Sequence, residues 1–206
     1  MKANEQSADA FWNSAPPRAN SGFMHWLRDH GSLTQRIAQR CERFSVRNVR
    51  DGLARIALDE SALLGIAPQQ LAWSREVFLC ADDSPVVFAH SACAASELRG
   101  AWLALRGLGS KPLGALLFSH PLVVRQPLHY KVLRSHHPLY RRATTLLVDA
   151  PDRLLARRSL FYLNNSPLLV TEVFLPDILN LNPESFTQKQ ELQLRSFVGM
   201  PLRHES

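Results

Sequence analysis

Two charged residues stand where the strand pattern of this sequence calls for apolar ones. Over residues 73–80, alternation puts Trp73, Arg75, Val77 and Leu79 on one face; over residues 167–174 it puts Leu168, Val170, Glu172 and Phe174 together. A buried charge left without its partner costs ~3 kcal/mol or more, so Arg75 and Glu172 each require one. Spacing alone favours a structural solution, either an Arg75–Glu172 ion pair or a pairing of Glu76 across its hairpin. The competing solution is a ligand bracketed by the two charges, with an anion at one end for the guanidinium fork and a hydroxyl at the other.

A third feature is the run Gly107-Leu-Gly-Ser-Lys-Pro-Leu-Gly114. It is not a nucleotide-binding loop, because no Gly-Lys-Ser/Thr follows at the required spacing. Pro112 suits the first position of a helix, which leaves the amides of Leu113 and Gly114 free to hold a carboxylate; taken alone the run reads first as a structural turn. Other chemistries lack their residues. His136-His137 has no acidic or thiol companions at metal-ligand spacing and is placed on the surface. Cys41, Cys80 and Cys93 form no Cys-x-x-Cys pair and read as small buried hydrophobes, and no Gly-x-Ser-x-Gly elbow occurs. Neither a metal nor another cofactor is expected.

The elements that must position these residues are mostly hairpins. Residues 73–80 form a strong strand, Ala81-Asp82-Asp83-Ser84-Pro85 turns, and residues 86–89 return. Residues 155–163 and 167–174 make the clearest hairpin, joined by Asn164-Asn165-Ser166 and closed by Pro176. Residues 23–41 suit two short helices broken near Gly31 with Ser32 as a cap, and residues 44–49 alternate as a short strand. Residues 96–105 are helical by composition, 113–118 form one or two helical turns, and 122–130 are extended. In residues 138–150, Thr144 and Thr145 favour a strand while Leu139, Ala143 and Leu147 favour a helix. Hairpins outnumber βαβ units, so the expected fold class is α+β, an antiparallel sheet with helices gathered on one face.

The chain has 206 residues, of which 46% are hydrophobic and 20% charged, a composition that suits one globular domain. Residues 1–22, with Ala15-Pro16-Pro17 and Asn20-Ser21-Gly22, read as a mobile arm; 23–182 as the domain; and 183–206 as an extension whose Phe186, Leu192, Leu194 and Phe197 suggest a surface helix. No apolar run is long enough to span a bilayer and the start MKANEQSADA has no signal-peptide pattern, so a cytoplasmic protein is expected; a monomer is expected too, although no residue pattern speaks to oligomeric state. A formal charge of +6 favours anionic partners. The short clusters Arg47, Arg50 and Arg55, Arg141 and Arg142, and Arg157 and Arg158 come without a recognition helix or RNA-binding aromatics, and a solvated basic surface is the expected place for most of them.

Four of these stretches, in this order, resemble the chorismate pyruvate-lyase family of bacterial ubiquinone biosynthesis: Trp73-Ser-Arg-Glu-Val-Phe-Leu-Cys-Ala-Asp, Leu108-Gly-Ser-Lys-Pro-Leu-Gly with Leu117-Phe118, Arg157-Arg158-Ser159, and Pro167-Leu-Leu-Val-Thr-Glu-Val-Phe-Leu-Pro176. The resemblance spans residues 23–176. It implies a sheet of about six antiparallel strands and a buried ligand site under helical flaps. It also implies roles: Arg75 for the carboxylate of 4-hydroxybenzoate, backbone contacts at Leu33 and Leu113, and Glu172 near the phenolic hydroxyl. This reverses the preference that spacing alone supports. Where the family commonly has an arginine this chain has His90, and Arg125 or a protonated His90 stands in as the candidate for the second substrate carboxylate.

The implied activity splits chorismate into 4-hydroxybenzoate and pyruvate without metal or redox cofactor, with Arg75 and Glu172 as the catalytic pair. The rival reading is a non-enzymatic sensor of small carboxylates, because effector domains of some bacterial regulators resemble this fold; about twenty residues before Phe23 are too few for the DNA-binding domain such regulators carry. A small nucleic-acid-binding protein is supported only by the basic pI of about 9.7.

Overall fold

The computed structural model describes residues 11–181. In chain order the regular elements are α1 (Ser21–Leu27), α2 (Leu33–Ala38), β1 (Phe44–Ala54), α3 (Leu58–Leu63), β2 (Ala72–Ala81), β3 (Ser84–Ala94), α4 (Leu113–Ser119), β4 (Val124–Arg125), β5 (His129–Leu133), α5 (Pro138–Ala143), β6 (Leu154–Leu163) and β7 (Ser166–Phe174). Short 3₁₀ segments cover Ala95–Arg99, Leu103–Gly107 and Pro176–Leu181. The extension after residue 182, with its suggested surface helix, lies outside the described residues.

Two tight turns set the sheet register. Asp82 and Asp83 have φ of 49° and 71°, Asn164 and Asn165 of 49° and 65°, so each pair fills a two-residue turn whose twist matches the flanking strands. Ala81 therefore faces Ser84 and Leu163 faces Ser166. The second loop is thus one residue shorter than the Asn164-Asn165-Ser166 turn that the sequence suggests. β3 then pairs with β7, giving an antiparallel sheet in the order β1-β2-β3-β7-β6-β4, with β5 also on β6. It has seven strands where about six were expected. β1 runs five residues beyond the expected 44–49 strand, past an irregularity between Asn48 and Arg50.

The helices start where local chemistry provides caps. Asn20 accepts the Phe23 amide at 2.9 Å to begin α1, and Ser32 accepts the Gln35 amide at 3.3 Å to begin α2. Residues 96–105 form 3₁₀ turns and not an α-helix, with Gly100 between them. The ambiguous segment 138–150 resolves as α5, with Pro138 in its first turn and the His137 imidazole accepting the Leu139 amide at 3.1 Å. His137 is therefore buried, unlike the surface pair expected; His136 is exposed. Helix α3 has no counterpart in the sequence reading; Glu60 caps it by accepting the Ala57 amide at 3.0 Å.

Alternation gives the sheet two buried faces. On one, Trp26, Leu27, Leu33 and Ile37 of α1 and α2, Leu113 and Leu117 of α4, and Trp102 and Leu105 pack over Trp73, Val77, Leu79, Cys93, Leu168 and Phe174. On the other, α5 packs over Phe78, Phe88 and Val173, and α3 lies near Ala92 and Leu169. The flap helices gather on one face as expected, while α3 and α5 cover the opposite one. They can do so because β2, β3 and β7 are largely buried on both sides. Within the arm segment 1–22, Asn13 exchanges backbone hydrogen bonds with Tyr130 at 2.9 and 2.8 Å, and Trp12 stacks 4.4 Å from the Arg158 guanidinium. This part of the arm is docked on the sheet edge.

A buried ionic cluster holds α3 and α5 to the second face. His90 of β3 has Nδ1 3.2 Å from Glu76 of β2 and Nε2 3.2 Å from Glu60 of α3, and Arg142 of α5 donates to Glu76 at 2.5 Å. Against the desolvation that opposes it, the two carboxylates raise His90 to about 9, and the cation beside it holds Glu60 down at about 2. Because the folded value of His90 exceeds its ordinary 6.5, its stabilisation is complete below that pH and is lost as pH rises through about 9. Glu60, depressed from 4.5, contributes above that pH and loses its contribution as pH falls toward about 2. Thermal unfolding followed against pH is expected to show Tm declining from pH 6.5 to 9. His90→Gln is expected to flatten that slope and to lower stability by about 3 kcal/mol at pH 6.

Candidate functional site

Between the first sheet face and the flap helices lies a narrow cleft with about 550 Å³ of atom-free space, mouth included. Leu33, Arg75, Leu113 and Glu172, the four residues expected at a site, all line it, with Thr34, Val77, Ser91, Gly114, Phe118, Arg125, Phe161 and Val170. The Arg75–Glu172 ion pair favoured by spacing alone does not form.

Arg75 instead holds the loop before α4. Its Nη2 donates to the carbonyls of Gly109 at 2.8 Å and Lys111 at 3.0 Å, while Nε, 4.0 Å from Asp51 of β1, is buried without a hydrogen bond. Gly109 has φ of 50°, a left-handed conformation that favours glycine and turns its carbonyl toward the guanidinium. Burial pulls Arg75 below the ordinary arginine pKa and Asp51 opposes this. Its side chain is 2% exposed, a fixed cation inside a largely apolar wall.

The loop delivers α4 against α2. At Gly114 a Cβ would stand 3.0 Å from the Thr34 hydroxyl and 3.1 Å from that of Ser32, so glycine is what lets the first turns of the two helices meet at the cleft. Leu33 and Leu113 are the first residues of those helices, and their amides have no acceptor within the helix.

Glu172 has a different partner from any the sequence suggested. Arg157 of β6 lies directly opposite it in the register, and its Nε donates to Glu172 Oε2 at 2.5 Å. Arg157 is fully buried, and its Nη1 also donates to the carbonyls of Trp26, Leu27 and Asp29 at 2.9, 3.3 and 2.5 Å, where α1 ends. Arg158, on the other face, is also buried and donates to Asp59 at 2.5 Å. Arg157 and Arg158 thus depart from the solvated surface expected for the arginine clusters, whereas Arg47, Arg50, Arg55 and Arg141 are exposed. The hairpin carries the signal for Arg157: a two-residue Asn164-Asn165 turn pairs residue 163 with 166 and hence 157 with 172.

Of the two candidates for a second carboxylate, only Arg125 reaches the cleft. His90 points to the opposite face, since Ala89 and Ser91 on either side of it line the cleft. Among the described residues no group of three or more His, Cys, Asp and Glu side chains could hold a metal ion.

A sequence model described as Chorismate lyase matches residues 8–182. The chain belongs to the chorismate lyase family. Relatives of this family include a probable chorismate pyruvate-lyase of Nitrosospira multiformis, 48% identical over 171 residues, covering 82% of this chain and 95% of that protein. Another, from Nitrosomonas europaea and also named probable chorismate pyruvate-lyase, is 46% identical over 181 residues, covering 88% of this chain and all of its relative. Among solved structures, the C-terminal domain of PhnF superposes with a TM-score of 0.52 at 14% identity, covering 71% of this chain and 89% of that one. The C-terminal domain of the histidine utilization repressor of Pseudomonas syringae pv. tomato gives 0.50 at 13% identity, covering 66% and 93%. These two likenesses concern the fold alone, which the lyase family thus shares with regulator domains.

Removing Arg157 strips Glu172 and three helix-end carbonyls of their common donor. Urea unfolding of Arg157→Ala is expected to lose about 3–5 kcal/mol, the cost of breaking a buried pair from one side. Arg157→Lys, a point charge that cannot serve both groups at once, is expected to recover only part.

Proposed function

We propose that the chain is a chorismate pyruvate-lyase that converts chorismate into 4-hydroxybenzoate and pyruvate, the entry to ubiquinone biosynthesis. The observation that carries this reading is the cleft itself, with the buried Arg75 guanidinium and the first-turn amide of Leu113 at one side and Glu172 among the lining residues. Membership of the lyase family supports it. The ring carboxylate sits against Arg75 and the amides of Leu33 and Leu113, and Glu172 meets the ring hydroxyl.

In the reaction the ether C–O bond on the ring breaks and the hydroxyl-bearing carbon loses its hydrogen, leaving an aromatic ring. The released enolpyruvyl group gains a hydrogen at its methylene carbon and becomes pyruvate. The conversion is driven by aromatisation, so the protein supplies a fixed conformer, a cleft held away from bulk water and charge to meet the leaving group. Arg157 occupies Glu172 Oε2, and Oε1 makes no hydrogen bond to the described residues, which leaves it for the substrate hydroxyl. A carboxylate so tethered is built to orient that hydroxyl.

No helix among the described residues is long and apolar enough to cross a membrane. We place the reaction in the cytoplasm.

Purified protein incubated with chorismate is expected to release pyruvate and 4-hydroxybenzoate in equal amounts; tight 4-hydroxybenzoate binding without turnover would make the chain a sensor instead. Arg75→Ala is expected to weaken 4-hydroxybenzoate binding at least ~10-fold and Arg75→Lys to restore it only in part, read by titration calorimetry. Single-turnover kinetics separate the two roles of Glu172. If it orients the hydroxyl, Glu172→Gln retains substantial turnover; if it must take the ring proton, the chemical step falls on the order of 100-fold with binding intact.

A further inference from the structure

We propose that Arg125 is the specificity residue that receives the enolpyruvyl carboxylate of chorismate, the carboxylate that leaves with pyruvate; this rests on the lyase reading of the cleft. The charges of the lining point to it. Arg75 and Arg125 are the cations among the lining residues, and the one carboxylate, Glu172, is already matched by the buried Arg157. Chorismate carries two carboxylates and 4-hydroxybenzoate one, so the site holds one guanidinium more than its aromatic product can use.

Arg125 is held in place by groups that leave part of its fork free. β4 pairs it with Phe161 of β6; its guanidinium lies 5.3 Å from the Phe161 ring and 5.7 Å from the Phe118 ring, two residues that also line the cleft. Nε donates to the Ser159 hydroxyl at 3.3 Å and Nη1 to the His30 carbonyl at 2.8 Å, in the turn between α1 and α2. Nη2 makes no hydrogen bond to the described residues and is not sealed in by them. A planar donor group fixed on two edges and open on the third is preorganised for a carboxylate.

Its position along the cleft fits the geometry of the substrate. In chorismate the enolpyruvyl ether is on the ring carbon next to the one bearing the hydroxyl, away from the ring carboxylate. The cation for the enolpyruvyl carboxylate therefore belongs beside Glu172 and away from Arg75. Burial pulls Arg125 below the ordinary arginine pKa; the anion that opposes this most is Glu172, with Asp29 opposing it less, while the neighbouring Arg157 cation lowers it further. His90, the other candidate, is committed to Glu60 and Glu76 beneath the opposite face.

The test is a split between substrate and product. Arg125→Gln is expected to raise KM for chorismate ten-fold or more, on the order of the loss of one charge-assisted hydrogen bond, while 4-hydroxybenzoate inhibits within two-fold of the parent value. Arg125→Lys, which keeps the charge without the fork, is expected to fall between, with unchanged thermal unfolding showing that the fold is intact. An unchanged KM for chorismate in a folded Arg125→Gln chain overturns the proposal. So does an equal loss of chorismate and 4-hydroxybenzoate, which would make Arg125 a prop for Phe118, Phe161 and the α1–α2 turn. A parent chain that releases no pyruvate would refute the lyase reading separately; calorimetric titration of parent and variant with chorismate and with 4-hydroxybenzoate still reads the split.

Discussion

The arrangement on the ligand face depends on one buried guanidinium. Arg157 is fully enclosed between β6 and the end of α1, and its desolvation is tolerable only because a carboxylate and three carbonyls surround it. Through those bonds it fixes three things at once: the rotamer of Glu172, the end of α1, and the height at which the flap crosses the sheet. Arg125 holds the same turn from β4 through the His30 carbonyl, and Arg75 holds the opposite wall through the carbonyls of Gly109 and Lys111. The cleft is thus bounded by arginines that bind backbone oxygens, which leaves its floor apolar and its charges fixed before a ligand enters.

Alternation along the strands assigns the two sheet faces to different tasks. Arg75 and Glu76 are neighbours in β2, yet one lines the cleft and the other anchors α5 through Arg142. Ala89, His90 and Ser91 divide in the same way across β3. Small residues on the cleft side of β3 leave the space open, while the histidine on the far side binds two acids together. The ionic cluster beneath the sheet and the cleft above it are separated only by the thickness of the backbone, so the same strands carry both.

Membership of the lyase family and the likeness to regulator domains describe the same scaffold at two levels. The fold is shared with proteins whose sequences are far apart from this one, and by itself it assigns no function. A few side chains placed on that scaffold distinguish this cleft, among them a cation held against a glycine-bearing loop and a carboxylate tied to a buried arginine.

The two hairpins and the cap of α2 were legible in the sequence because each depends on residues adjacent in the chain: Asp82-Asp83, Asn164-Asn165 and Ser32 carry their own conformational preferences, whereas the two-residue length of the second turn and the Asn20 cap of α1, read as part of the arm, were not. Period-two alternation likewise exposed Arg75 and Glu172 as charges on apolar faces, and so as candidate site residues. Which partner each one takes was not legible, because partners are set by strand order: Glu172 meets Arg157 through register, whereas Arg75 meets the Gly109 carbonyl across a loop thirty-four positions away. Helix α3 and the Glu60–His90–Glu76 cluster escaped for the same reason, since a six-residue helix has a weak periodic signal and its identity as a lid on the second face exists only once β2 and β3 lie beneath it. The sequence by itself determined where the turns fall and which residues are out of place in their strands; tertiary structure decided what those residues touch, because burial and charge pairing act between segments that only the folded sheet brings together.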